Sequence, residues 1–566
     1  MSKTVDLDSV NTYKEGKLQL MVGLFEKCGI REIFDRRMSK NNTVGRKPFM
    51  SPGMEAMVML AGICVQEGYR SLYAMKDFYA DKDLEGIFHF PIEASWLHDD
   101  RFGDFLDAFF DSNCRNVFLE VSGRAFAEYG IAVKNINYDT TSKVMWGQYI
   151  TADKDDKIGC ISIDFGYSKD KRGDKKQLKI GIGTTNGVVT DAKVLSGNKD
   201  DKTYNYENME DVDKLLSSMN VNRGEFYYIA DSAYFTEKTI AKAKHYHIKY
   251  ITRMPDNITV ARNLLDKPLP EDAPLISITN AHNKDVLYKL MEAQDTYEGH
   301  PCKLAVVYSY GLEEAKKKSI EGKIDKEMSE IDKKLKQYES RLFKCLPDAE
   351  SEKALLEKWV ISKLKYHSID LSISVQEVRR PGRPSKDPLK NIMIKYKLDY
   401  AVKLDEVTVE NVMRRECTFI LCSNDLEITG EQMLREYKTQ SDVEKRFQVI
   451  KSPTYMNSLF LNTPKRIEAL VYLLLISVML LTVAEKVVRD ELKKNNEVIH
   501  GIENRKQVKP TFATILMIMD RITTVSYQSE GKTIRSIRSM DESCKKVIKY
   551  LRIPESCFAW NPSMVT

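Results

Sequence analysis

Asn135-Ile136-Asn137-Tyr138-Asp139-Thr140-Thr141 decides how this chain is read. It is a short strand-type run ending in an acidic residue, and from about residue 134 the hydrophobic period becomes strand-like. Further short apolar runs follow at 158–165, 177–183, 188–195 and 226–230. Thr185-Asn186-Gly187 and Ser196-Gly197-Asn198 carry the residues that turns require. A helix over 237–245 and a strand over 249–253 come next. Antiparallel strands followed by a strand-helix-strand passage predict an α/β fold, a mixed sheet flanked by helices.

Two more acids sit in comparable settings. Asp231 ends the run Phe226-Tyr227-Tyr228-Ile229-Ala230, and Glu444 lies on an amphipathic helix expected over 431–451. At about 100° per residue, Tyr437, Gln440, Glu444 and Lys451 fall within a sector of roughly 60°. Val443, Phe447 and Ile450 form an adjacent apolar sector suited to packing on the sheet. By periodicity alone, an ordinary amphipathic helix with a solvated polar face is the simpler reading. Two strand-end carboxylates and one helical carboxylate can nonetheless build a two-metal site for phosphoryl transfer.

Around this core the pattern changes. Residues 1–133 read as helical, with Pro52 opening a helix, and they fit a DNA-binding head or a plain packing domain equally well. The sheet pattern of 134–255 is interrupted over 256–424 by an α+β insertion. There Ile320, Ile324, Met328, Ile331, Leu335, Tyr338 and Leu342 mark a helical seam, and Leu355, Leu356, Trp359 and Val360 mark a second helix. An antiparallel helical hairpin is expected from them, flanked by strands near 302–308, 369–375 and 417–421. The core resumes over 425–490, and 491–566 read as a helical C-terminal region.

A chain of 566 residues with 42% hydrophobic residues exceeds one core. The net charge of +5 hints only weakly at a polyanionic partner, so local clusters count for more. Ten scattered cysteines without a CxxC pair argue against a disulfide framework or zinc site and fit a reducing cytoplasm. No apolar signal core opens the chain. The apolar run Ala469–Ala484 is shorter than the roughly 20 residues a membrane span needs, so a buried helix is expected and no membrane partner. His245 and His247, two apart, read as surface residues rather than metal ligands.

Tyr437-x2-Gln440-x3-Glu444-x6-Lys451 resembles the Tyr-Arg-Glu-Lys signature of DDE transposases from bacterial and archaeal insertion sequences, with glutamine in place of arginine. Tyr138-Asp139-Thr140-Thr141 resembles the segment bearing their first catalytic Asp. Ala230-Asp231-Ser232-Ala233-Tyr234-Phe235 resembles the segment bearing the second. Gly166-Tyr167-Ser168-Lys169-Asp170, Lys176-Gln177, Gly183 and Ser196-Gly197-Asn198 are similar to the intervening strands, and Asn462-Thr463-Pro464-Lys465-Arg466-Ile467 matches downstream. The likeness covers roughly 95–490, with five motifs in order.

The resemblance implies an RNase H-like core carrying an insertion between the second Asp and the Glu. It implies Asp139, Asp231 and Glu444 as catalytic residues and ligands of two Mg²⁺ ions, for which Mn²⁺ can substitute. Tyr437, Gln440 and Lys451 would contact transposon-end phosphates, although glutamine lacks the charged fork of arginine. Arg466 is either a further phosphate contact or a surface arginine at a helix start. Arg380 and Arg383, in Arg379-Arg380-Pro381-Gly382-Arg383-Pro384-Ser385-Lys386, form either a minor-groove hook or a solvated loop. Trp359 could stack on a flipped base, but its helical spacing favours core packing.

The implied activity is cut-and-paste transposition: cleavage at element ends and joining of the 3′-hydroxyl to target DNA. Its partners would be double-stranded DNA, as inverted repeats and as target, with a homodimer in the synaptic complex. The rivals are a hydrolytic nuclease on the same fold and a non-catalytic DNA-binding protein derived from a transposon.

Overall fold

The computed structural model describes residues 5–38, 49–65, 71–147, 149, 159–279, 284–383, 386, 391–452 and 461–561. It divides into two compact units, Met1–Thr252 with Glu436–Thr566, and Arg253–Arg435. The intruding sequence expected over 256–424 falls inside the second unit.

The first unit is built on strands β1 (Asn135–Val144), β2 (Gln177–Thr185), β3 (Val188–Leu195), β4 (Tyr227–Ala230) and β5 (Lys249–Arg253). Their spatial order is β3-β2-β1-β4-β5. β1, β2 and β3 pair antiparallel, whereas β4 runs parallel to β1 and β5 parallel to β4. This mixed sheet flanked by helices is the RNase H-like arrangement.

Local chemistry explains the connections. Asn186 and Gly187 take φ of 51° and 75°, the left-handed pair that lets a two-residue hairpin match strand twist. Parallel strands need a crossover, and helices α1 (Asp201–Ser218) and α2 (Glu237–His245) supply it. Asp200 caps α1 by accepting the Thr203 N–H at 2.9 Å, and Thr236 caps α2.

Alternation along β1 sends its side chains to two faces. On one face Tyr138 stacks on Tyr228 with centroids 4.5 Å apart, and Tyr234 and Tyr250 continue the row. The Tyr228 hydroxyl donates to Asn205 of α1 at 2.8 Å, so this face lies under the crossover helix.

The other face carries Asn137, Asp139 and Thr141. C-terminal to the insertion come α3 (Gly430–Lys438), α4 (Ser441–Lys451) and α5 (Pro464–Lys494). Val443, Phe447 and Ile450 of α4 are buried in one cluster with Leu178, Ile180 and Ile182 of β2, as their apolar sector predicts. Asp139 and Thr141 stand opposite Ile182 and Ile180, which sets both under α4.

α5 is the axis of the core. It is long and apolar enough to cross a membrane, yet 89% of its most apolar window is buried inside the protein. The N-terminal helices Pro52–Val65, Asp99–Asp111 and Cys114–Tyr129 all pack around it. Each fully buried Leu, Ile or Val contributes roughly 1.5–3 kcal/mol, so this helix organises much of the unit.

Three expectations need correction. The run at 158–165 is not a strand: from 159 onward it makes only an isolated bridge, Asp164 to Gln177, and Ile158 lies outside the described residues. The terminal regions are not purely helical, because strand Val5–Tyr13 pairs with Thr523–Ser529, which pairs with Lys532–Ser539. Asp139 does not end its strand, since β1 continues to Val144 through pairing with β2.

In the second unit, strands Leu275–Thr279, Asp285–Tyr297, His300–Ser309 and Thr418–Ser423 pair antiparallel. A three-stranded sheet forms the arm: β6 (His367–Arg379) and β7 (Ile392–Leu404) pair in unbroken register, and the short strand Leu342–Phe343 pairs with β7. Helices Glu313–Leu335 and Leu346–Lys363 lie against this arm, with Ile331, Leu335, Tyr338, Leu356 and Leu398 at their core. The seam therefore closes on strands rather than as a two-helix hairpin. Leu355 is 60% exposed, while Trp359 packs against the core. Glu327 is buried and accepts the backbone N–H groups of Lys365, Tyr366 and His367, fixing where the arm begins.

Glu15, just after the N-terminal strand, is buried, and burial pushes its carboxyl up to about 7. A raised folded-state value means stability is greatest below the ordinary 4.5 and declines as pH rises to about 7. Glu15→Gln keeps an acceptor for the Asp83 N–H and removes the buried charge. Its Tm should exceed wild type at pH 8 and converge with it near pH 4.5, as read by thermal melts across pH.

Candidate active site

Parallel pairing brings the two aspartates close. β1 and β4 are in register at Asn135 with Tyr227, Ile136 with Tyr228 and Asn137 with Ile229. The pairing ends there, and two residues on, Asp139 lies near enough to Asp231 for its charge to act on that carboxyl. β4 has ended by then, and the Asp231 carboxylate accepts the Ala233 N–H at 3.0 Å. Burial raises the Asp231 carboxyl above its ordinary range, and the charges of Asp139 and Asp201 add to the rise.

One ammonium lies among these acids. Lys169 Nζ is 2.9 Å from Asp139 Oδ1 and 3.7 Å from Asp201 Oδ2, and it donates to the Thr140 carbonyl at 2.6 Å. Burial alone would lower its pKa, but Asp139, Asp201 and Asp231 together raise it. Asp201 also accepts from the Thr140 hydroxyl at 2.7 Å and from buried Lys179 at 3.3 Å.

The loop holding Lys169 is pinned at several points. Its N–H donates to Ser142 Oγ of β1 at 2.9 Å, and Gln177 Nε2 donates to the carbonyls of Tyr167 and Gly197. The chain passes Gly197 so closely that a Cβ there would lie 2.0 Å from the Gln177 carbonyl oxygen and 2.5 Å from that of Asp164.

The helix bearing Glu444 differs from its expected form. Instead of one helix over 431–451, α3 and α4 meet at a tight turn where Asp442 and Val443 donate to the carbonyls three residues back, Thr439 and Gln440. The cause is Thr439. Its hydroxyl donates to the Glu436 carbonyl at 2.6 Å and accepts from Asn137 Nδ2 of β1 at 2.8 Å. Side-chain bonds back to the preceding turn compete with the helical ladder. Tyr437 therefore stands on α3 and Gln440 in the turn, both half-buried, while Glu444 and Lys451 share one face of α4.

Asn137 meets Thr439 at one side of Asp139, and at the other Thr141 lines an open cavity with Glu444, Gln448 and Lys451. Glu444 is exposed and forms no ion pair among the described residues. The three acids are not drawn into one tight cluster. Among the described residues, the only His, Cys, Asp or Glu trio with all ligand atoms within 4.8 Å is exposed His98, Asp99 and Asp100.

The expected phosphate contacts are occupied by acids. Lys451 pairs with Asp170 at 2.6 Å, and Arg466 makes two bonds to Asp107, at 3.0 and 2.7 Å. Arg380 and Arg383 are exposed at the tip of the β6–β7 arm; Pro384 and Ser385 lie outside the described residues.

Sequence reasoning did not single out Asp201 or Lys169. Asp201 follows the capping Asp200 and reads as a helix start, and Lys169 lies in a segment quoted only for its likeness to connecting strands.

A family model described as transposase DDE domain matches residues 150–480, more than half of the chain. The chain belongs to this transposase family. The match takes in Asp231 and Glu444 and begins after Asp139. A second model, a domain of unknown function (DUF4277), matches residues 10–123 of the transposase, its N-terminal helical part. No curated protein matches significantly. A cryo-EM structure of a piggyBac transposase synaptic complex with hairpin DNA aligns over 89% of this chain and 80% of its own, at 10% identity and a TM-score of 0.35.

The donor set fits a divalent cation. Asp139, Asp201 and Asp231 offer hard carboxylate oxygens, and the charges of Asp139 and Asp201 raise the Asp231 carboxyl although Lys169 partly offsets them. Gly197→Ala should disturb this site indirectly, because backbone must move to admit the methyl group. A loss of about 2 kcal/mol or more is expected from chemical denaturation, the scale of strain from forced overpacking.

Proposed function

We propose that this transposase acts in the manner of the insertion-sequence branch: metal-dependent cleavage at element ends followed by strand transfer of the 3′-hydroxyl into target DNA. The observation that supports it most is the approach of Asp139 and Asp231, two residues beyond the last registered pair of β1 and β4, on the face that packs against the helix carrying Glu444.

In this reading Asp139, Asp231 and Glu444 would hold two Mg²⁺ ions, with Mn²⁺ an alternative, which would supply activation of the attacking oxygen and charge stabilisation of the leaving one. Asp231 is fixed by the Ala233 N–H, so its carboxylate needs little reordering on binding. Lys451 reaches a phosphate by exchanging its Asp170 partner, and Tyr437 and Gln440 add uncharged contacts. Arg466, doubly bonded to Asp107, serves better to anchor the start of α5 against helix Asp99–Asp111 than to bind DNA.

The arm supplies a second DNA contact. Two paired 13-residue strands carry Arg380 and Arg383 some 40 Å from its base, far enough to enter a groove. Double-stranded DNA, as element ends and target, is the partner, and synapsis of two ends calls for a homodimer. The cytoplasm is the compartment.

Asp139→Asn, Asp231→Asn and Glu444→Gln should each reduce cleavage of an end-bearing duplex at least 1,000-fold while leaving gel-shift affinity within about threefold. Undiminished cleavage in any of them sinks the assignment of that residue. Cleavage by wild type with no joined product from a pre-cut 3′-hydroxyl end would favour the hydrolytic nuclease. Arg380→Ala with Arg383→Ala should weaken duplex binding and reduce the slope of log K against log salt by about two. An unchanged slope would mean that the arm tip touches no phosphate.

A further inference from the structure

Resting on the metal-site reading above, we propose that Lys169 is a resident cation that competes with the divalent ion for Asp139, so that metal binding must displace its ammonium. Three observations carry this. Lys169 Nζ lies 2.9 Å from Asp139 Oδ1, where an ion bound to Asp139 would crowd it. The same ammonium faces Asp201 at 3.7 Å and takes the Thr140 carbonyl at 2.6 Å, which amounts to a small coordination sphere. Asp139 and Asp231 repel each other, and the Lys169 ammonium acts on both to offset that repulsion.

The anchoring divides fixed from movable parts. Ser142 holds the Lys169 backbone N–H and Gln177 holds the neighbouring Tyr167 carbonyl, so the main chain stays in place. The side chain remains 28% exposed, and its flexible stem can swing without unfolding the loop. A monovalent ammonium stabilises the acids before the ion arrives and costs affinity once it does. Asp170, the next residue, holds Lys451 on α4, so one loop restrains both the metal-facing acid and an expected phosphate contact.

Mn²⁺ provides the probe, with free ion counted by electron paramagnetic resonance in the absence of DNA. Lys169→Met should bind Mn²⁺ roughly tenfold tighter than wild type, the scale of removing one nearby like charge. Without metal it should melt below wild type, and Mn²⁺ should raise its Tm by more. Mn²⁺ affinity unchanged or weakened in folded Lys169→Met overturns the proposal. A measurement on wild type guards against a variant that does not fold: amine acetylation of Lys169, followed by mass spectrometry, should accelerate when Mn²⁺ is added, and unchanged or slower labelling also overturns it. Asp139→Asn separates the two levels. If it binds Mn²⁺ as wild type does, the metal-site reading itself fails; if it loses the ion while Lys169→Met gains nothing, only the role of Lys169 fails.

Discussion

Two carboxylates of like charge, Asp139 and Asp231, stand two residues beyond the last registered pair of neighbouring parallel strands, and the first unit is arranged around that placement. The repulsion cannot relax by sliding one strand, because slippage by one residue would send every side chain to the opposite face. Register is held from beneath. Tyr138 and Tyr228 stack as a pair, and their hydroxyls are tied to Asp191 and Asn205. The tyrosine row thus supports, on the apolar side of the sheet, a crowding of charge on the other.

Offsetting that charge falls to segments outside the sheet. Lys169 arrives from a loop pinned to β1 and β2, and Lys179 reaches Asp201 from β2 itself. α4 closes the same face through Val443, Phe447 and Ile450, leaving Glu444 on its exposed flank. α5 gives the layer its mass, with helices from the N-terminal region wrapped around it. The N-terminal helices are thereby part of the same core as the candidate site and not a separately packed head.

Much of the sheet was legible because its signals are local. Asn186-Gly187 dictates a two-residue hairpin, and the spans of β3, α2 and β5 follow from short apolar runs bounded by turn or cap residues. The apolar sector of α4 was readable for the same reason. What escaped reading depends on distant partners. The helix break at Thr439 comes from an asparagine about 300 positions earlier, which no window of periodicity contains. The stretch at 158–165 has strand composition, yet among its described residues only Asp164 forms a strand-type bridge, so propensity alone could not decide it. Asp201 read as a helix start, since its role appears only when Thr140, Lys169 and Lys179 converge on it. The strands of the termini were hidden because each end lacks its mate until the other is present.

That last pairing bears on how the polypeptide matures. Val5–Tyr13 is synthesised long before its mate, Thr523–Ser529. Until that mate is made, the earlier segment has an open hydrogen-bonding edge and nothing native to receive it. Growing chains of this protein must keep that edge from joining a neighbour's until the later strand exists and the two can be sewn together.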